Sequence, residues 1–169
     1  MDDTNLSDRV AALEARMQHV EDQLEIHRLI NGWGPAVDTG NGEAAAALFA
    51  DDAILESDLS YLTGPAAITA MVYAEGHQSL IRDGSAHIPA FPLVTIDGDT
   101  ARATGYTRVY RYTGDGYEIW RCSANHWEFR RTNDGWRVTR RTNHVINRGS
   151  EAKDLLSRAY TEQPWPTAG

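Results

Sequence analysis

The 169-residue sequence contains a single cysteine, Cys122, and no apolar run long enough to cross a bilayer. One thiol permits neither a disulfide within the chain nor a cysteine-based metal cluster. Basic residues are also few, since 16 lysines and arginines stand against 24 aspartates and glutamates, which gives a net charge of −8. Nucleic acid phosphates and anionic membrane surfaces would repel such a chain. We therefore expect neither nucleic acid nor a membrane as a partner.

Motifs with a fixed catalytic mechanism are absent as well. The sequence has no phosphate-binding loop, no dinucleotide fingerprint, no nucleophile elbow and no HExxH zinc motif. Its six histidines form no close pair of the kind that binds metal. We therefore expect no metal and no cofactor. The first five residues are acidic and polar, unlike a secretory signal, so we expect a cytoplasmic protein.

The overall composition is that of an ordinary globular protein, with 41% hydrophobic and 24% charged residues. The length suits one domain with a sizeable core. We expect a single domain over residues 1–169. It comprises an N-terminal helix extension over about 6–23, a core over about 24–147, and a C-terminal helix and tail over 150–169.

The N-terminal helix carries two apolar patterns in succession. The first has the alternating three- and four-residue spacing of a heptad-like seam, which is typical of helix pairing. The second is a wider stripe suited to a protein core. The first part is predicted to pack on another subunit and the second on its own sheet, although one amphipathic helix lying on its own domain is an alternative. The two sets are Val10, Leu13, Met17, Val20 and Leu24, and then Ile26, Leu29, Ile30 and Trp33.

Beyond this helix, short helices are predicted over 44–50 and about 63–74, a short strand over 53–56 and a loop over 75–85. From residue 86 the apolar period changes to two, which indicates strands. A strand over 86–96 is interrupted by two prolines. Long strands then follow over 100–112, 117–131 and 136–147, joined by tight turns, before a closing helix over about 150–162. This order predicts an α+β cone, with a curved, mostly antiparallel sheet around the N-terminal helices and a pocket inside.

Asp38 lies where the first helix is predicted to end. The negative end of the helix dipole, and any burial, should make this carboxylate hold its proton more tightly. An Asp–His pair is a good general base, and His87 at a strand start is the candidate ring. No nucleophilic serine stands in a recognisable setting, so such a pair would remove a proton. Alternatively, Asp38 only opens a turn and His87 is a satisfied strand-start residue.

Four motifs carry a resemblance to a known family. They are Ala-Val-Asp-Thr-Gly-Asn (36–41), Ala-Leu-Phe-Ala-Asp-Asp-Ala (47–53), Thr-Gly-Pro-Ala-Ala-Ile (63–68) and Trp-Glu-Phe-Arg-Arg-Thr-Asn-Asp-Gly-Trp (127–136). The chain from about residue 24 to 147 resembles the SnoaL-like families of the nuclear-transport-factor-2-like superfamily. Within them it is most similar to the branch of scytalone dehydratase, bile acid 7α-dehydratase and hexachlorocyclohexane dehydrochlorinase. The resemblance implies a cone-shaped α+β fold.

The resemblance also implies roles for particular residues. Enzymes of that branch use an Asp–His dyad, and Asp38 and His87 match its two places. The dehydrochlorinase has an arginine after the hairpin tryptophan, where Arg141 falls here. The dehydrochlorinase also has a lysine five residues before its aspartate. In this chain Trp33 occupies that position, so an aromatic side chain stands where a cation would assist the loss of halide.

Arg141, Trp33 and Tyr106 are accordingly expected to bind substrate. Other interpretations exist for two of them. Arg141 could instead form a cross-strand ion pair with Glu128 or Glu118. Tyr106 lines the pocket or faces the helices, depending on the strand register.

The resemblance implies a cofactor-independent, dehydratase-like lyase acting on a hydrophobic ring compound. Alternatives are an isomerase, a cyclase or an epoxide hydrolase in the same pocket. A non-catalytic ligand-binding or assembly protein is a further alternative, because this fold serves many functions. A small hydrophobic ligand or substrate is expected as partner. A homo-oligomer is expected too, a trimer by resemblance, with a dimer as the alternative.

Overall fold

The structure is a computed structural model that describes residues 3–161, and the side chains of residues 6–161. The predicted C-terminal tail after residue 161 lies outside the described residues. Within this range the helices are α1 (Asp3–Asp38), α2 (Gly42–Ala46), α3 (Gly64–Tyr73), α4 (Glu75–Asp83) and α5 (Glu151–Thr161). The strands are β1 (Phe49–Ser57), β2 (Tyr61–Thr63), β3 (Ser85–Pro89), β4 (Leu93–Asp97), β5 (Thr100–Tyr112), β6 (Tyr117–Thr132) and β7 (Gly135–Val145).

The strands form one curved, mostly antiparallel sheet. Its order is β2–β1–β7–β6–β5–β3, and β4 also pairs with β5. Only β1 and β7 run parallel among the described pairs. The long strands β5, β6 and β7 are consecutive, as the tight turns predicted. The α+β cone fold expected from the sequence is confirmed.

The second half of α1 forms the centre of the core. Ile26, Ile30, Trp33 and Val37 recur every three or four residues, so they share one helix face, and each is at most 6% exposed. They belong to a cluster with residues of the sheet's inner face, including Phe129, Trp136 and Val138. The prediction that this half packs on its own sheet is therefore confirmed.

A glycine stop fixes the end of α1. Gly40 has φ +72°, a left-handed conformation that glycine adopts without strain. The Gly40 N–H donates to the carbonyl of Val37, and the Asn41 N–H donates to that of Ala36. This is the Schellman arrangement, which places Asp38 in the last turn of the helix, as predicted.

Several predicted element boundaries were wrong. The helix expected over 44–50 is the shorter α2, because Phe49 already pairs with Val138 of β7. The loop expected over 75–85 contains helix α4, whose N-terminus has no side-chain cap and whose residues include none that are fully buried. The interrupted strand is two strands, β3 and β4, which both pair with β5. No helix of the described chain is long and apolar enough to cross a membrane.

Candidate functional site

A cavity of about 490 Å³ lies between the inner face of the sheet and helices α1, α3 and α4. Part of its lining is apolar and aromatic, and part consists of histidine, arginine, aspartate, serine, threonine and asparagine side chains. The apolar part includes Trp33, Leu55, Met71, Leu80, Val109 and Trp120.

Asp38 and His87 meet at the edge of this cavity. The Nδ1 atom of His87 lies 2.6 Å from Oδ1 of Asp38, and the side chains are 14% and 19% exposed. The carboxylate also accepts the His87 backbone N–H at 2.7 Å and the Ser85 hydroxyl at 3.1 Å. Because a carboxylate only accepts, Nδ1 carries the hydrogen of the neutral ring, and Nε2 keeps its lone pair. His87 itself lines the cavity.

The pKa of Asp38 differs in direction from the sequence expectation. Burial acts to raise this pKa, but the hydrogen bonds from the ring and backbone of His87 and from Ser85 lower it by more, so it lies below its usual value. The expectation that Asp38 holds its proton tightly was therefore wrong. The carboxylate is ionised at neutral pH, which suits it to orient a ring better than to accept a proton.

Gly34 allows α1 and β3 to approach closely. A Cβ atom at this position would overlap the carbonyl oxygen of His87. Glycine is thus required one helical turn before Asp38, because only a residue without a side chain lets β3 bring His87 within reach of the carboxylate. The available sequence signal is a glycine inside a helical pattern, which is typical of a position with a packing or functional reason.

A second imidazole, His77, was assigned to a loop at the sequence level and was missed. It belongs to α4, lines the cavity, and its ring centroid lies 5.9 Å from that of His87. Its Nε2 atom is 2.9 Å from the carbonyl oxygen of Val37. A carbonyl only accepts, so Nε2 bears the hydrogen and Nδ1 keeps the lone pair of the neutral ring. The last turn of α1 therefore orients both rings.

Arg141 is buried in the cavity wall between two tryptophans. The guanidinium carbon lies 4.6 Å from the ring centroid of Trp33 and 4.5 Å from that of Trp127, and the residue is 6% exposed. Its Nε donates to Asn125 Oδ1 at 3.1 Å. Burial lowers the pKa of Arg141 to about 9, with a smaller effect from the charge of Arg121. It therefore stays protonated at neutral pH.

No carboxylate compensates this buried charge in the part of the chain that the structure describes. Arg141 forms no ion pair there, and Glu118 pairs instead with Arg111. Arg121, a half-buried cation of the cavity wall, pairs with Asp58 at 2.5 Å and donates to Asn143 at 2.8 Å. Arg141 is thus a desolvated positive charge without a carboxylate partner among the described residues.

Of the predicted substrate-binding residues, Arg141 and Trp33 line the cavity and Tyr106 does not. The side chains of Thr107, Val109 and Arg111 line it from β5. Because alternate side chains of a strand lie on opposite faces, Tyr106 falls on the other face, where it is 46% exposed. The expected binding role of Tyr106 is corrected accordingly.

The residues from 3 to 161 contain no group of three His, Cys, Asp or Glu side chains that could hold a metal ion. Among its polar groups, the cavity presents two oriented imidazoles and a buried guanidinium. Such a set can move protons and stabilise a negative charge.

Solved structures share this architecture. An NTF2-like protein with a cystatin-like fold from Novosphingobium aromaticivorans is 38% identical, with 85% of this chain and 94% of that chain covered and a TM-score of 0.83. A candidate aromatic ring hydroxylase from the same organism is 27% identical over 76% and 91% of the two chains, with a TM-score of 0.59. A protein of unknown function from Mycobacterium tuberculosis is 22% identical over 88% and 85%, with a TM-score of 0.70. No curated protein matches the chain.

The family assignment comes from the sequence and the fold together. The model of the SnoaL-like domain matches residues 18–142, which include Asp38, His87 and Arg141. The N-terminal residues before 18 and helix α5 lie outside this match. The chain belongs to the SnoaL-like domain family.

Proposed function

We propose that this protein is a cofactor-independent, dehydratase-like lyase, and that His87 is its general base. The observation that carries the proposal is the Asp38–His87 contact at the edge of a cavity that also contains an uncompensated arginine. Asp38 holds the ring in one tautomer and stabilises the imidazolium that forms, while Nε2 accepts the proton.

The proposed reaction removes water from a ring compound. His87 Nε2 takes a proton from a carbon next to a carbonyl, and the C–H electron pair forms the new C=C bond. The C–O bond at the neighbouring carbon breaks, and its electron pair leaves with the hydroxyl oxygen. His77 takes up a proton from solvent at Nδ1 before the reaction and donates it to that oxygen, so that water is released. The two rings then exchange their protons with solvent, which restores the starting state.

Arg141 stabilises the negative charge that develops on the carbonyl oxygen. Because it is already desolvated and held between two tryptophans, it does not have to be reorganised during the reaction. Its lack of a carboxylate partner in the described chain supports this role. An anionic transition state would pair with the buried charge more strongly than the neutral substrate does.

The cavity supports a hydrophobic ring compound as the substrate class. A volume of about 490 Å³ is in the range of small-molecule pockets. Its aromatic and apolar wall suits a fused or aromatic ring, and the similarity to a candidate aromatic ring hydroxylase favours the same class. The cavity opens beside Leu59 and Trp120, which are 73% and 40% exposed.

A panel of cyclic β-hydroxy ketones tests the proposal, with mass spectrometry to detect the loss of one water. We expect at least one member to be dehydrated. The rate constant kcat should fall about 10²- to 10⁴-fold in His87→Ala and Asp38→Asn, and about 10²-fold in His77→Gln. An isomerase, a cyclase or an epoxide hydrolase would give products that retain or gain water.

The chain supplies a matched control. His144 pairs with Asp58 at 2.9 Å, but neither residue lines the cavity. His144→Gln therefore removes an Asp–His contact of the same kind and should leave kcat unchanged. Wild-type activity in His87→Ala would exclude the lyase. Ring compounds that bind tightly without any product would favour the non-catalytic ligand-binding protein instead.

A further inference from the structure

The first half of α1 carries a continuous apolar stripe that no part of the described chain covers. Every side chain from residue 6 to 21 is exposed. The stripe has a strict heptad spacing of four and three residues over about 27 Å of helix. Its members are 45–64% exposed and are Leu6, Val10, Leu13, Met17, Val20 and Leu24.

The opposite side of the same helix is the side that touches the domain. In the heptad that starts at Val10, Asp22 occupies position f, which lies farthest from the apolar a and d positions. Asp22 is 4% exposed and accepts hydrogen bonds from Arg131 and Trp136. The apolar stripe therefore faces away from the domain, even where the helix is docked on it.

The stripe continues onto the surface of the domain. His27 follows Leu24 at the next d position, and its ring stacks on Phe91 with 4.3 Å between the centroids. Phe91 is 84% exposed. A large exposed aromatic ring at the end of an exposed apolar seam is typical of an interface.

The charges beside the stripe indicate what kind of surface covers it. Arg9 and Arg16 occupy g positions, and Glu14 and Glu21 occupy e positions. None of these four forms a salt bridge within the described residues. In a parallel pair of identical helices, g of one helix faces the following e of the other, so Arg9 meets Glu14 and Arg16 meets Glu21. An antiparallel pair would set arginine against arginine and glutamate against glutamate.

We propose that the first half of α1 pairs in parallel with the same segment of a second copy of this chain, as a two-stranded coiled coil. At the N-terminal end of the stripe, Val10 at position a with Leu6 and Leu13 at the flanking d positions favours two strands. The domains then lie side by side at the C-terminal end of the coiled coil. This interface is independent of the proposed lyase activity, because it uses no residue of the cavity.

Sedimentation of the full chain tests whether the stripe is the interface. We expect twice the 18.8 kDa chain mass for the wild type at micromolar concentration. Leu13→Glu/Met17→Glu should raise the dissociation constant about 100-fold or more, because four carboxylates enter an apolar seam. The control Ala12→Glu/Ala15→Glu adds the same charge at exposed c and f positions and should stay dimeric. A monomeric or trimeric wild type, or a seam variant that stays dimeric, would overturn the proposal.

Disulfide formation tests the orientation with conservative changes. In a Cys122→Ala background, Val10→Cys alone and Val20→Cys alone should each form a disulfide-linked dimer, since a parallel pair places equal positions opposite each other. Residues 10 and 20 are about 15 Å apart along the helix, well beyond the roughly 7 Å that a disulfide tolerates between Cα atoms. Linkage only in a mixture of the two variants would show antiparallel pairing and contradict the proposal.

Discussion

The two halves of helix α1 differ in where their apolar faces point, although they form one regular helix. The half before residue 22 exposes all its described side chains, whereas Ile26, Ile30, Trp33 and Val37 in the second half are buried against the sheet. Both halves have amphipathic spacing. The apolar stripe rotates by roughly 150°, or about two-fifths of a turn, between them, as 100° per residue implies. The direction in which the apolar residues point around the helix axis, more than how apolar they are, distinguishes the face that packs within the chain from the face that points outward.

The comparison extends to the polar residues. Arg9, Glu14, Arg16 and Glu21 of the first half lie beside the apolar seam and make no ion pair within the described chain. In the second half, Asp22 and Asp38 are engaged with other parts of the domain, since Asp22 binds Arg131 and Asp38 binds His87. Substitutions in the second half should therefore alter the fold and the site, and matched substitutions in the first half should not.

The largest expected change in stability is that of Gly34→Ala, and Gly32 in the same half of the helix provides a matched comparison. Gly34→Ala places a Cβ against the His87 carbonyl, so we expect a loss of about 3 kcal/mol in the free energy of unfolding. Gly32→Ala meets only the Leu48 Cδ2 atom at 3.5 Å, an ordinary contact. It should stabilise the helix by about 0.5–1 kcal/mol. Urea unfolding measures both.

A second measurement links Gly34 to the site. In Gly34→Ala, α1 and β3 must separate, so the His87 Nδ1–H bond to Asp38 should lengthen or break. The ¹⁵N spectrum of the His87 ring should then show a mixture of tautomers in place of one. A single unchanged tautomer, together with unchanged stability, would mean that the close approach does not position His87.

Asp22→Asn should have the next largest effect. The change leaves Arg131 without its buried carboxylate and puts an amide N–H near other donors, so we expect about 2 kcal/mol of destabilisation. The adjacent exposed Glu21→Gln removes the same charge and should change stability by less than about 0.5 kcal/mol. Thermal unfolding of both variants, at a concentration where the chain is monomeric, tests this prediction. Equal losses would contradict the division between the two helix faces.

Sequence patterns within a single helix or strand were enough to predict some features of the fold and the site, but not others. The position of Asp38 could be predicted because Gly40 ends the helix nearby. The long strands β5–β7 could be predicted because glycines in the turns separate them. The direction of Tyr106 could not be predicted, since a register difference of one residue reverses the strand face. His77 was missed because α4 has no capping side chain and no buried face, so its sequence resembles a loop.

The contact between Asp38 and His87 lies beyond any local pattern. The two residues are separated by 49 positions, and their contact depends on the approach of β3 to α1. The resemblance to the dehydratase branch suggested that they pair, but it did not predict the lowered pKa of Asp38. That direction depends first on the ring of His87, then on its backbone N–H, and least on Ser85, donors that only the folded chain assembles.

The stability difference between wild type and Asp22→Asn should depend on pH. The hydrogen bond from Arg131 holds the pKa of Asp22 well below its usual value, despite an opposing effect of burial. The contribution of Asp22 is therefore complete above the unfolded pKa of about 3.9 and is lost as the pH falls through the lower folded pKa. Unfolding measured from pH 7 to pH 2 should show a constant difference above about pH 5 and a shrinking one below pH 4. A difference that grows in acid would contradict this assignment.

The smallest effect expected concerns Ser85, which supplies one of three hydrogen bonds to Asp38. Ser85→Ala leaves both donors of His87 in place, so the ring should keep its tautomer and stability should fall by only about 1 kcal/mol. Because the Ser85 hydroxyl helps to lower the pKa of Asp38, that pKa should rise slightly in the variant. A ¹³C titration of the Asp38 carboxyl tests this, with His144→Gln as a control that leaves these donors untouched. An unchanged Asp38 titration would assign the lowered pKa to His87 alone. The last turn of α1 would then depend on β3 through a single residue.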